Sequence, residues 1–113
     1  MEMTTNNKDG KMAVYLKGEI DHHSARNVRE NIDRLLSIQR PNVFILDLEG
    51  VNFMDSSGLG LILGRYRKAK ENGIEMYLCN VDERIMRILR MAGVDKLIGI
   101  TNNTKDTVDN ERI

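Results

Sequence analysis

Apolar positions along the chain switch between two periods, and the switches divide it into alternating strands and helices. Met12, Val14 and Leu16 alternate with Ala13, Tyr15 and Lys17, the period-two pattern of a strand. Asp9-Gly10 just before it predicts a tight hairpin turn, with residues 2–7 as a weaker, polar partner strand at a sheet edge. Ala25, Val28, Ile32, Leu35 and Leu36 then recur at three- and four-residue intervals and predict a helix. Asp21 or Ser24 is placed to cap it, and Pro41 closes the segment. Val43 to Leu48 is almost continuously apolar, as a central strand covered on both faces requires.

A second helix is predicted from Ser56 or Ser57 to Asn72, stopped by Gly73, with Leu59, Ile62, Leu63 and Tyr66 as its inward stripe. Glu75 to Asn80 reads as a further strand. Asp82 caps a third helix that turns Ile85, Ile88, Leu89 and Ala92 inward and stops at Gly93. Leu97 to Ile100 is a short last strand. Strands alternating with helices from residue 43 onward imply right-handed crossovers and a mostly parallel central sheet, to which the N-terminal hairpin adds an antiparallel edge. The fold class is therefore α/β. One domain is expected over residues 1–100, followed by a polar, frayed tail over 101–113.

Composition narrows the function. The chain has 113 residues, of which 41% are apolar, enough for a core without staples. Lys plus Arg and Asp plus Glu number 17 each, so no net field draws in nucleic acid or an anionic membrane. Trp is absent, and with so few aromatic residues base-stacking platforms are not expected. A single cysteine, Cys79, sits in a strand pattern and reads as an inert buried thiol in a reducing compartment. The N-terminus has no signal-peptide pattern and no apolar run reaches membrane-spanning length, so a cytoplasmic protein without a membrane partner is expected.

The stretch with the most chemistry is Met54-Asp55-Ser56-Ser57-Gly58-Leu59-Gly60, at the handover from strand to helix. Asp, Ser and Gly at a helix start are ordinary capping residues. Capping needs only one, however, and here two serines follow an aspartate. Gly58, Gly60 and Gly64 also weaken the helix by about 1 kcal/mol each relative to Ala, which suits a backbone that something must approach closely: the sheet, a ligand or a partner. The glycine spacing fits neither a dinucleotide fingerprint nor a phosphate-binding loop, so no nucleotide cofactor is expected. Met54 stands where a nucleophile elbow needs Gly, which weighs against an enzyme using Ser56 with His22 or His23. Asp21-His22-His23 is an incomplete metal set. Arg65, Arg67, Lys68 and Lys70 read as the solvated face of the second helix. Asp21 ends a strand at the sheet edge expected for Asp55, so an acidic rim near Ser56 is anticipated.

The motif Phe53-Met-Asp-Ser-Ser-Gly-Leu-Gly60, with Gly18-Glu-Ile-Asp-His-His23, Leu46-Asp-Leu48 and Leu63-Gly-Arg-Tyr66, resembles the STAS family of anti-sigma factor antagonists. The Asp-His-His segment favours the sporulation branch, and the likeness spans residues 3 to 100. The resemblance implies a STAS fold and a non-enzymatic switch. The unphosphorylated form binds a nucleotide-bound partner that is both anti-sigma factor and serine kinase, and so releases a sporulation sigma factor. Phosphorylation of the first serine, here Ser56, ends that binding, and a serine phosphatase resets it. Asp21, Asp55, Ser57, Gly58, Leu59 and Gly60 then form the partner-binding surface of a domain that is monomeric when free. Chemistry alone leaves Ser56 and Ser57 as alternatives; the family assigns the first. A STAS-type module in a stress-signalling complex, or one sensing a small ligand, is the competing reading. The polar stretch Thr101 to Ile113 lacks the apolar stripe of the amphipathic helix with which family members usually finish.

Overall fold

The structure, a computed structural model, describes residues 1–102. Its elements run β1 (Glu2–Lys8), β2 (Lys11–Ile20), α1 (His22–Gln39), β3 (Val43–Met54), α2 (Ser56–Glu71), β4 (Glu75–Cys79), α3 (Glu83–Met91), a 3-10 turn (Val94–Lys96) and β5 (Gly99–Thr101). The sheet order is β1-β2-β3-β4-β5, with β1 antiparallel to β2 and the remaining pairs parallel. Asp9 and Gly10 both have positive φ, the mirror-image turn that a two-residue hairpin demands.

Neighbouring strands in sequence are neighbours in the sheet, so right-handed crossovers bring the helices to one face. On that face Met12 pairs with Phe44 and Phe44 with Met76; Val14 pairs with Leu46 and Leu46 with Leu78. These side chains share one core with Val28 and Ile32 of α1, Leu61 and Ile62 of α2, and Ile85 and Leu89 of α3. The opposite face carries a smaller buried cluster of Ala13, Val43, Ile45 and Cys79. Val43 to Leu48 is buried throughout, as its continuous apolar pattern requires.

Four details depart from the periodicity. The inward face of α2 is Gly58, Leu61, Ile62, Arg65 and Ala69, while Leu59, Leu63 and Tyr66 pack only partly against the core. The stripe is rotated because Gly58 lets one turn of α2 come close to the sheet. Strand β3 runs six residues beyond Leu48 to stay paired with β2, crossing two register shifts. Ala92 is exposed, because α3 ends at Met91. The last strand starts at Gly99, since the 3-10 turn takes up Val94–Lys96 and leaves Leu97 exposed. Thr101 closes β5; the tail expected beyond it lies, from residue 103, outside the described residues.

Candidate functional site

Ile20 and Met54 are register partners at the ends of β2 and β3, and the Asp55 N–H donates to the Ile20 carbonyl at 3.3 Å. Adjacent strands lie about 4.8 Å apart, so the residues that follow, Asp21 and Asp55, begin two helices side by side. Asp21 is the N-cap of α1. Its carboxylate accepts from the Ser24 N–H at 2.9 Å, and Ser24 Oγ accepts from the Asp21 N–H at 2.9 Å. Both residues that the sequence offered as caps are thus used, as a reciprocal capping box. Ser24 Oγ also donates to the Glu19 carbonyl at 2.9 Å, anchoring the box to the end of β2. The bonds from Ser24 hold the Asp21 carboxyl below its ordinary value of 3.8, with His23 adding a smaller pull in the same direction.

Asp55 is the N-cap of α2 through a single bond, its carboxylate accepting from the Ser57 N–H at 2.8 Å. Ser56 is the first residue of α2 and is exposed, and its hydroxyl has no hydrogen bond among the described residues. Ser57 is half-buried. Ser56 is thus the more exposed of two hydroxyls at the positive end of the helix, where the cap engages the Ser57 backbone N–H and neither side chain.

The glycines divide by what lies beside them. Gly58 is buried, and a Cβ there would overlap Met54 Cγ and lie 3.2 Å from Ile20 Cγ2. Its missing side chain brings the start of α2 onto the ends of β2 and β3. Around Gly60 and Gly64, by contrast, a Cβ would meet nothing within 4 Å. The sheet explains Gly58; nothing inside the described residues explains the other two. Leu59, between Gly58 and Gly60, is half-buried against the core.

Sequence reasoning missed two features. Phe53, three residues before Ser56, is 46% exposed, because Gly18 pairs with Val51 and Glu19 with Phe53, leaving Asn52 as the extra residue of a bulge that turns Phe53 outward. Arg65, read as part of a solvated face, is buried, with Nε 2.9 Å from Asp33 Oδ1 on α1. That contact is an ion pair whose angles miss a hydrogen bond, and Arg65 Nη1 is also buried without a hydrogen-bond partner among the described residues. Burial pulls the Arg65 pKa down, against the opposing pull of Asp33. The signal available in the sequence was position: Arg65 is three and four residues from Ile62 and Leu61, on their side of the helix.

His22 and His23 are exposed, their ring centroids 6.1 Å apart in an edge arrangement. No group of three or more His, Cys, Asp or Glu side chains among the described residues is placed to hold a metal ion. No helix among them is long and apolar enough to cross a membrane.

Comparison with known proteins places this geometry. The STAS domain model matches residues 2–110. An anti-sigma F factor antagonist of Paenibacillus polymyxa is 40% identical over 94 residues, covering 83% of this chain and 80% of that protein. The chain belongs to the STAS family of anti-sigma factor antagonists. An anti-sigma-B factor antagonist of Listeria monocytogenes is 29% identical over 89 residues, covering 79% of this chain and 77% of the relative. Among solved structures, the anti-sigma factor antagonist SpoIIAA in its unphosphorylated form superposes with a TM-score of 0.85 at 24% identity, covering 98% of this chain and 96% of that one. The mixed five-stranded sheet with three helices is thus a STAS fold like that of SpoIIAA.

Proposed function

We propose that this chain is an anti-sigma factor antagonist of the sporulation type, switched by phosphorylation of Ser56. Its unphosphorylated form binds a partner that is both anti-sigma factor and serine kinase, and so frees the sigma factor. The kinase transfers phosphate from its bound nucleotide to Ser56 Oγ, and a serine phosphatase restores the free hydroxyl. The observation that carries this reading is an exposed serine without a hydrogen bond at the start of α2, flanked by the capped starts of two adjacent helices.

The physics supports an on–off switch without refolding. A phosphate brings about −1.5 to −2 charges, which the N–H groups at the helix start accommodate within the chain. Facing outward, the same charge is left unpaired in any interface formed around a neutral serine, a cost of several kcal/mol. Inverting a 1:99 population to 99:1 takes about 5.5 kcal/mol, which is within that range. On this reading Asp21, Asp55, Ser57, Leu59 and Gly60 form the partner-binding surface together with Ser56, while Gly58 acts from beneath by seating the helix. The sporulation assignment is favoured by the 40% identity to the anti-sigma F antagonist, against 29% to the anti-sigma-B relative.

Tandem mass spectrometry after incubation with ATP and the anti-sigma kinase of the same cell is expected to find one phosphate, on Ser56, absent in Ser56→Ala. Phosphate on Ser57 would move the site, and no phosphate with an active kinase would sink the switch. Ser56→Ala should bind the kinase constitutively and Ser56→Asp weakly; equal affinities would exclude the electrostatic block.

A further inference from the structure

Two contacts bear on how α2 is rotated against its neighbours. Gly58 seats the helix start on Met54 and Ile20 at the ends of β3 and β2, where a Cβ would overlap Met54 Cγ. Two turns further on, Arg65 Nε lies 2.9 Å from Asp33 Oδ1 on α1. At about 3.6 residues per turn, the seven-residue step from Gly58 to Arg65 returns to within about 20° of the same direction, about 10 Å along the axis. Both contacts therefore act on one line of the helix. The same arithmetic places Ser57 about 100° round from that line and Ser56 about 200°. Burial follows it: Gly58 and Arg65 are buried, Ser57 is half-buried and Ser56 is exposed. A turn of α2 about its axis would trade exposure between the two serines.

The Arg65–Asp33 contact is a poor source of stability. Arg65 is 7% exposed, and neither its Nε nor its Nη1 has a hydrogen-bond partner among the described residues. Arg29, also on α1, adds like-charge repulsion. Desolvation offsets much of the attraction in such a pair, and apolar side chains of similar volume would pack at least as well. What apolar side chains lack is direction. Burial of apolar surface is non-directional, and Leu61, Ile62 and Ala69, the other side chains that α2 buries, are all apolar. An ion pair at 2.9 Å, by contrast, loses attraction as soon as the helix turns.

We infer that Arg65 and Asp33 are positioning residues, which hold α2 at the rotation that presents Ser56 to the kinase and withholds Ser57. The rotation belongs to the fold; its use by a kinase rests on the phosphorylation switch proposed above. In the transfer, the serine oxygen that reaches the terminal phosphorus of the kinase's nucleotide gives its proton to a base on the kinase and displaces the nucleoside diphosphate. The pair selects that oxygen and takes no other part.

Cysteine probes in the full chain read the rotation without a partner, because the native Cys79 is buried. Alkylation by N-ethylmaleimide should be faster in Ser56→Cys than in Ser57→Cys. With Arg65→Met and Asp33→Leu added, which removes both charges and keeps an apolar filling, the ratio of the two rates should fall at least about threefold. A smaller change overturns the assignment. Ile85→Val trims the core at α3 and leaves the pair intact, so it separates rotation from stability. Its ratio should match the parent's, and a fall as large as that of the paired variant would overturn the assignment as well. Phosphorylation by the kinase should be confined to Ser56 in the parent and shared with Ser57 in the paired variant. Phosphate still confined to Ser56 in that variant overturns the selection of the serine. An active kinase that leaves even the parent unphosphorylated removes the switch, while the alkylation ratios still decide whether the pair sets the rotation.

Discussion

At the scale of single residues, the glycines of α2 make opposite predictions from one sequence pattern. Gly60→Ala fills open space in a helix interior, so it should stabilise the fold by about 0.5–1 kcal/mol. Gly58→Ala gains the same propensity but drives a Cβ into the buried Met54 side chain, and overpacking of about 1–3 kcal/mol outweighs that gain. Urea unfolding of the two variants should move in opposite directions, and a shift of the same sign in both would refute this reading. The third residue-scale case is Arg65. Asp33→Ala leaves its guanidinium buried without a counter-charge and should cost about 3 kcal/mol, the low end for a broken buried pair because Asp33 is partly solvated. Arg65→Met with Asp33→Leu removes both charges and should recover most of that loss in a double-mutant cycle.

At the scale of elements, each helix begins on an aspartate at the same edge of the sheet: Asp21, Asp55 and Asp82. The Asp82 carboxylate accepts from the Ile85 N–H at 2.9 Å, and that bond holds its pKa below 3.8, as the Ser24 bonds do for Asp21. A folded pKa below the unfolded one means stabilisation that is complete above the unfolded value and is lost as pH falls through the folded one. Thermal unfolding should therefore lose stability from about pH 4 downward, and less so in Asp21→Asn with Asp82→Asn, since Asn still caps but does not titrate. An identical acid profile in parent and variant would rule out the two caps as its source. The elements themselves were largely legible: hairpin turn, helix starts and central strand all follow from local pattern. The length of β3 was not, because pairing with β2 carries it through two register shifts that no local pattern marks.

For the whole molecule, the parallel register sets two helix starts beside one another, and the phosphate of the proposed switch would enter at their shared edge rather than in the core. Phosphorylation should accordingly leave the sheet intact. Amide exchange is expected to change around residues 53–60 and at the start of α1, with Val14, Leu46 and Leu78 equally protected in both forms. Protection lost across the sheet would mean a global change instead.

Hydrophobic period, turn residues and capping residues are local, and so the sequence by itself determined the α/β class, the order of elements, the strand–helix handover at Asp55-Ser56 and the family. That Ser56 is more exposed than Ser57, which glycine serves the sheet, that Phe53 faces outward and that Arg65 is buried depend on how α2 rotates against β2 and β3. That rotation is set by contacts between residues far apart in the chain, such as Gly58 with Ile20 and Arg65 with Asp33, and only the packed tertiary structure brings those together.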